Sequence, residues 1–299
     1  MVKRIVFGAL LIGLIVGVFA ADGWLGGHKV HGGLEAFVPT LPLAILTGLL
    51  VAFGYRELAH MAASAQVHIS KTVGVIAAVI VATFPAWRML LPPAGERPMQ
   101  GVVASTRPLL LLALIVLVIF IDQLRSRQTE GIIRRVAGSL LGVCYLGVGG
   151  AMILAIRTDF GLKALVLFLV AVKCTDIGAY FVGKAIGRHK LIPWLSPKKS
   201  WEGLIGGLVV AAAASAVTVW LANPVLPIRA SISLPAAAAF GAIVGLFGQA
   251  ADLCESALKR DAGCKDAGAV VPEFGGVLDM VDSPLLSAPV AYVLLAFAR

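Results

Sequence analysis

The chain has 299 residues, of which 59% are hydrophobic and 14% charged, with a formal net charge of +9 and a mean hydropathy of +0.95. This hydropathy excludes a soluble domain with a solvated surface, and no polar region is long enough to form a separate soluble core. The four cysteines form no CxxC pair, which gives no support to a zinc site or a disulfide framework. The composition therefore predicts one integrated membrane domain.

Nine apolar segments approach the length of a transmembrane helix, about 17 to 25 residues. They cover 5–21, 40–60, 72–91, 108–121, 136–156, 162–182, 203–222, 235–258 and 284–298. The first begins after Lys3 and Arg4, as a signal peptide would, but its long apolar run and weak cleavage site favour a retained helix. We predict an all-α polytopic membrane protein with about nine transmembrane helices, divided into N-terminal helices (1–160) and a C-terminal region (161–299) that carries the candidate site.

Basic residues are distributed unevenly between the segments that these helices separate. With a cytoplasmic N-terminus, the inner segments hold about twice as many Lys and Arg residues as the outer segments. The charged loops 183–202 and 259–283 then both face the cytoplasm, where phosphorylated metabolites occur. We therefore predict a multi-pass protein of the cytoplasmic (inner) membrane, in contact with anionic lipid headgroups. Because no soluble basic domain is present, we expect no nucleic-acid partner.

The segment 256–282 carries five acidic and three basic residues between two apolar segments. An ionisable residue at bilayer depth costs about 2.5 to 3.5 kcal/mol, so this cluster indicates a charged substrate, a metal ion or an ion path. One face of the eighth predicted helix would carry Asp252, Glu255, Ser256 and Lys259. Asp279 and Asp282 lie three residues apart at the start of the ninth.

Carboxylates that converge from two helix ends are typical ligands of a hard divalent cation such as Mg²⁺, which prefers oxygen and often binds substrate phosphate as well. The basic residues between them, Lys259, Arg260 and Lys265, suit phosphate better than a site made of carboxylates alone. The alternative is a solvated loop whose charges only fix topology. The expected depth of Asp252 and Asp279, at or inside the membrane boundary, favours the functional interpretation.

A second group of polar residues precedes this cluster. Lys173, Asp176 and Tyr180 would share one face of an apolar helix, where Asp176 is either functional or paired with Lys173. Lys198 and Lys199 follow a Ser-Pro turn and precede Ser200, a candidate helix N-cap. They serve either as topological charges or as a cradle for a polyphosphate at the start of the next helix.

Four stretches with fixed spacing carry a family resemblance. They are Ser256-Ala257-Leu258-Lys259-Arg260, Lys265-Asp266-Ala267-Gly268, Val271-Pro272 and Gly275-Gly276-Val277-Leu278-Asp279, followed by Asp282. This pattern resembles the signature of the phosphatidate cytidylyltransferases, also called CDP-diacylglycerol synthases. The segment from Thr175 to Gly203 is also similar to that family, so the resemblance covers the C-terminal half. The N-terminal helices are similar only in hydropathy.

The resemblance implies that phosphatidic acid attacks the α-phosphorus of CTP, giving CDP-diacylglycerol and pyrophosphate at the cytoplasmic edge of the C-terminal half. It implies Mg²⁺ as the cofactor, with a second cation left open, and a homodimer in contact with membrane lipids. Asp252 and Asp279 would then be the metal ligands, with Asp282 and Asp266 as supporting or additional ligands. The implied phosphate contacts are Lys259, Arg260 and Lys265, the hydrogen-bonding partner is Ser256, and the CTP-binding residues are Asp176, Lys198 and Lys199.

Two positions depart from the family pattern. Phe274 stands where the family has His, which removes a hydrogen-bond donor, and Met280 stands where it has Arg, which removes a fixed charge. These departures keep open a catalytically weak homologue with a structural role. Buried acids at broken helices are also compatible with a cation-coupled transporter. A different CTP-dependent lipid enzyme, such as an isoprenoid-alcohol kinase or an archaeol-type cytidylyltransferase, stays open as well, because apolar helices would line either lipid pocket.

Overall fold

The computed structural model describes residues 13, 16–25, 37–91, 98–125, 127, 129–222, 232–268 and 275–298. Helices of this part of the chain are α1 (Val16–Leu25), α2 (Leu41–Ser64), α3 (Lys71–Trp87), α4 (Pro98–Leu124), α5 (Ile132–Gly142), α6 (Gly149–Ala155), α7 (Leu162–Ile186), α8 (Trp201–Ala222), α9 (Leu234–Asp261) and α10 (Leu278–Phe297). Two π-helical segments, Val143–Val148 and Ile156–Phe160, flank α6. Strands β1 (Lys190–Ile192) and β2 (Ser196–Ser200) pair antiparallel between α7 and α8.

Eight helical spans of the described residues are long and apolar enough to cross a membrane. They are Val38–Ser64, Lys71–Leu90, Thr106–Leu124, Ile132–Phe160, Leu162–Ile186, Trp201–Ala222, Leu234–Asp261 and Leu278–Phe297. Each overlaps one of the predicted segments, and the prediction of an all-α polytopic membrane protein is confirmed. The first predicted segment, 5–21, lies mostly outside the described residues.

The last span begins earlier than its hydropathy predicts. It starts at Leu278 rather than near 284, so Asp279 and Asp282 lie in the first turns of α10. Pro284 sits inside this helix, where it leaves the carbonyl four residues earlier without its usual N–H donor. The extra turns therefore bring two carboxylates onto a regular helix instead of a loop.

The chain forms two compact units. Met1–Leu154 and Asp266–Leu278 make up the first, and Ala155–Lys265 and Asp279–Arg299 make up the second. In the first unit, the fully buried ring of Tyr55 packs against Gly74 and Gly142, where a Cβ would overlap the ring. The Tyr55 hydroxyl donates to the Ser139 carbonyl oxygen at 3.4 Å. This contact joins α2, α3 and α5 around a bulky side chain that only glycine neighbours accommodate.

A buried carboxylate organises the segment of the first unit that ends at α10. Glu57 of α2 is only 4% exposed, and its two oxygens accept the backbone N–H groups of Val277 and Leu278 at 2.9 and 2.8 Å. A Cβ at Gly268 or Gly276 would lie 2.6 or 2.5 Å from those oxygens. The Glu57 carboxylate therefore explains why both positions are glycine, and its charge is favourable at the N-terminus of α10.

In the second unit, α7, α8 and α9 approach one another through small residues. A Cβ at Gly203 of α8 would lie 2.9 Å from the Ala179 carbonyl oxygen, and one at Gly207 would lie 2.7 Å from that of Thr175. A Cβ at Gly241 of α9 would lie 2.5 Å from the carbonyl oxygen of an alanine of α8. Such close packing is the usual way for membrane helices to gain van der Waals contact.

We predict that Glu57→Ala destabilises the protein. The change removes two charge-assisted hydrogen bonds and leaves two buried N–H groups without their acceptor, which together cost about 2 to 5 kcal/mol. The midpoint of thermal unfolding in detergent should fall, whereas Glu130→Ala at an exposed position should leave it unchanged. Equal midpoints for Glu57→Ala and the parent would show that the contact contributes no stability.

Candidate active site

A cavity of about 510 Å³ lies in the second unit, between residues of α7, β2, α8, α9 and α10. The cavity brings together residues far apart in the sequence. Six of the residues predicted for the site line it: Asp176, Lys198, Lys199, Asp252, Asp279 and Asp282. It is therefore the candidate active site.

Three carboxylates converge beside this cavity. Asp252, Glu255 and Asp282 each offer an oxygen, and these oxygens lie within 4.8 Å of one another. The side chains of Glu255 and Asp282 are almost fully buried, and Glu255 Oε1 accepts no hydrogen bond from the described residues. Three carboxylate oxygens that point together repel unless a cation joins them, so this donor set fits a hard divalent ion.

Lys259 neutralises two acids at the edge of this cluster. Its ammonium pairs with Glu255 one helical turn earlier and donates to Asp279 Oδ1 at 2.8 Å. The Lys259 and Asp279 side chains are each less than 15% exposed. A buried pair of this kind ties α9 to α10, because breaking it would leave an uncompensated charge in an apolar bundle.

A chain of polar contacts links α7 to β2 through α9. Gln249 Nε2 donates to Asp176 Oδ1 at 2.9 Å, while Lys199 Nζ donates to Gln249 Oε1 at 3.1 Å. Lys199 also forms an ion pair with Asp252. Gln249 therefore holds the predicted residues Asp176 and Lys199 in one network, although its own role was not predicted.

The hairpin that carries Lys198 and Lys199 is fixed at both ends. Ser200 Oγ accepts the Gly203 N–H at 3.2 Å, which confirms Ser200 as the N-cap of α8. Glu202 accepts the backbone N–H groups of Arg188 and His189 at 3.2 Å, and the His189 ring nitrogen Nδ1 lies 2.6 Å from Glu202 Oε1. Both lysines thereby lie on a short, restrained strand, β2, beside the cavity.

The remaining predicted residues do not line the cavity in the described part of the chain. Ser256 is half-buried, and Arg260 and Lys265 are exposed; Arg260 Nη1 donates to the Cys264 carbonyl oxygen at 3.4 Å. Asp266 is exposed and belongs to the first unit. Their proposed roles stay predictions. Of the two departures from the family pattern, Phe274 lies outside the described residues.

Sequence reasoning missed two residues of the site. Glu255 was placed on the face of Asp252 but given no role, although an acid one turn away on an apolar helix is itself a signal. Gln249 lies three residues before Asp252, so the same helical spacing could have identified it.

Comparisons with known proteins match the sequence of this chain to a family. A model of the cytidylyltransferase family matches residues 31–298. The chain belongs to the cytidylyltransferase family. Its spans make it a multi-pass membrane member, and the charged cavity lies within the matched residues.

Curated relatives agree with the family match. The chain is 37% identical over 156 residues to a phosphatidate cytidylyltransferase of Staphylococcus haemolyticus, covering 52% of this chain and 57% of that protein. It is 37% identical over 158 residues to that of Bacillus subtilis, covering 52% and 56%. The match to the Staphylococcus saprophyticus protein is 35% over 156 residues, covering 52% and 57%. The chain spans little more than half the length of the curated relatives it matches.

Proposed function

We propose that this protein is a CTP:phosphatidate cytidylyltransferase of the inner membrane, with its N-terminus and active site on the cytoplasmic side. Membership of the cytidylyltransferase family and the names of the relatives support the reaction class. The observation that carries the proposal is the cavity itself, which is lined by Lys198 and Lys199 and by Asp252 and Asp282 of the three converging carboxylates. Acids that hold a cation and lysines that hold phosphate are what a nucleoside triphosphate requires.

The reaction is a displacement at the α-phosphorus of CTP. An oxygen of the phosphatidate phosphate forms a bond to that phosphorus, the bond to the β-phosphate oxygen breaks, and pyrophosphate leaves with the electron pair. The attacking phosphate is already an anion, so no strong base is needed. Catalysis then depends on in-line positioning and on neutralising charge.

The carboxylates Asp252, Glu255 and Asp282 fit Mg²⁺, and Asp279 lines the same cavity while paired with Lys259. When bound, the ion would neutralise phosphate oxygens of the nucleotide as negative charge develops on the leaving pyrophosphate. Lys259 keeps Glu255 and Asp279 from repelling each other, which holds the ligand-bearing turns of α9 and α10 in register. We propose Asp252 as the principal ligand, with Glu255 and Asp282 beside it, and the role of Asp279 as a ligand stays a prediction because its carboxylate is held by Lys259.

The lysines of the hairpin complete the nucleotide site. Lys198 is exposed at the cavity and suits the outer phosphates of CTP, whereas Lys199 is held by Asp252 and Gln249. Asp176, kept in place by Gln249, would accept hydrogen bonds from the nucleoside. Because α7, α8, α9 and α10 are apolar spans, the acyl chains of phosphatidate can stay in the bilayer while the headgroup enters the cavity.

Product formation without a sealed compartment tests this proposal against a transporter. Purified protein in detergent, given labelled CTP, MgCl₂ and phosphatidate, should form labelled CDP-lipid and pyrophosphate, because the reaction needs no gradient. Cation-dependent uptake into proteoliposomes without any lipid product would instead establish a transporter.

We predict that the metal requirement depends on the acid cluster. Asn at 252, 279 or 282 keeps side-chain size but removes an anionic oxygen, so turnover should fall by about a hundredfold or more and the Mg²⁺ concentration for half-maximal activity should rise. Asp261→Asn, at an exposed position of the same helix α9, is the matched control. If a well-folded variant keeps the parental Mg²⁺ response, that carboxylate is not a ligand.

A further inference from the structure

Lys173 lies inside the membrane span of α7, yet its side chain reaches the candidate active site. It lines the cavity, and its Nζ lies 3.2 Å from the Met280 carbonyl oxygen of α10 and 3.7 Å from Asp176 Oδ2. Its side chain is 50% exposed, whereas those of Lys199 and Lys259 are below 20%. Lys173 is thus a cation at bilayer depth that is not enclosed by its partners.

The contact with Met280 has a physical cause in α10. A helical carbonyl normally accepts the N–H four residues later, but that residue is Pro284, which has none. Lys173 donates to this carbonyl from the neighbouring helix. The bond fixes the ammonium at the wall of the cavity, although an ammonium carries three donors and this carbonyl uses one.

The neighbouring lysines of the cavity differ in their surroundings. Lys199 is ion-paired with Asp252 and bonded to Gln249, and Lys184 lies 5.8 Å from the centre of an aromatic ring of its own helix, that of Tyr180. Asp176, the acid that pairs with Lys173, also accepts a hydrogen bond from Gln249 Nε2 at 2.9 Å. Lys173 therefore keeps donor capacity and exposed surface on the side of the cavity where α7 meets α10.

We propose that Lys173 is a substrate-binding residue that donates to a phosphate group in the cavity, with the Met280 carbonyl holding its ammonium in place. The proposal rests on the proposed function and names a residue for that site. Both substrates carry phosphate, on CTP and on the phosphatidate headgroup, so the shared chemistry is a phosphate oxygen anion. Measuring the binding of CTP and of phosphatidate separately decides which of the two substrates is contacted by Lys173.

The test compares Lys173→Met, which removes the charge at similar size, with Lys173→Arg, which keeps it. Lys163→Met is the control, since Lys163 is on the same helix but does not line the cavity. KM is measured for CTP and for phosphatidate in detergent, and equilibrium binding of CTP and of short-chain phosphatidate is measured without turnover. Thermal midpoints report folding.

Loss of a charge-assisted bond should raise KM and the dissociation constant for one substrate about tenfold to hundredfold in Lys173→Met. Lys173→Arg should recover most of the loss, and Lys163→Met should match the parent. A change confined to CTP assigns the contact to the nucleotide, and one confined to phosphatidate assigns it to the lipid headgroup. If Lys173→Met binds CTP and phosphatidate as the parent does, whether or not its thermal midpoint is lower, the proposal is overturned. Lys173 would then only connect α7 to α10.

The two proposals fail in different ways. If the parent protein binds CTP and phosphatidate but forms no CDP-lipid, the cytidylyltransferase reaction is wrong, while the binding data still decide the role of Lys173. If the parent forms CDP-lipid and Lys173→Met binds and turns over both substrates normally, only the inference about Lys173 is wrong.

Discussion

The site depends on one constraint, namely that carboxylates in an apolar helix bundle must be matched by cations. Asp252, Glu255, Asp279 and Asp282 lie on α9 and α10, and the described residues supply Lys199 and Lys259 as partners for three of them. One lysine joins β2 to α9 and the second joins α9 to α10, so the charges that serve the chemistry also fix these elements against each other. The four carboxylates carry more negative charge than these two lysines offset, and three of them bring oxygens within 4.8 Å of one another, a donor set that fits a divalent cation.

Close helix packing makes that arrangement geometrically feasible. The glycines on the facing sides of α7, α8 and α9 allow backbone contacts that larger residues would prevent. Polar side chains inside these helices then meet within hydrogen-bonding distance, as Gln249 does with Asp176, and Gln249 also reaches Lys199 of β2. In the first unit, two glycines play the same part for Glu57, because they leave room for a carboxylate beside backbone N–H groups.

Hydropathy predicted the spans well, because a bilayer imposes a length on any apolar helix. Helical spacing also placed Asp252 and Glu255 on one face. What spacing could not supply was the partner of each charge. These partners are distant in sequence: Lys199 pairs with Asp252, and Lys259 pairs with Asp279. Glu57 likewise accepts the backbone N–H of Leu278. The apolar run predicted the last span from 284, whereas α10 starts at Leu278, because the hydropathy pattern does not include the acidic residues of its first turns.

The central claim is that the cavity transfers a cytidylyl group to a lipid phosphate, and the most direct measurement follows which phosphorus of CTP enters the lipid. Parallel reactions in detergent would contain phosphatidate, MgCl₂ and CTP labelled at either the α- or the γ-phosphorus. The account predicts that label from the α-position appears in the lipid product and that label from the γ-position is released as pyrophosphate. Transfer of the γ-label to lipid, as a CTP-dependent lipid kinase would give, or no label in lipid from either position, would contradict it.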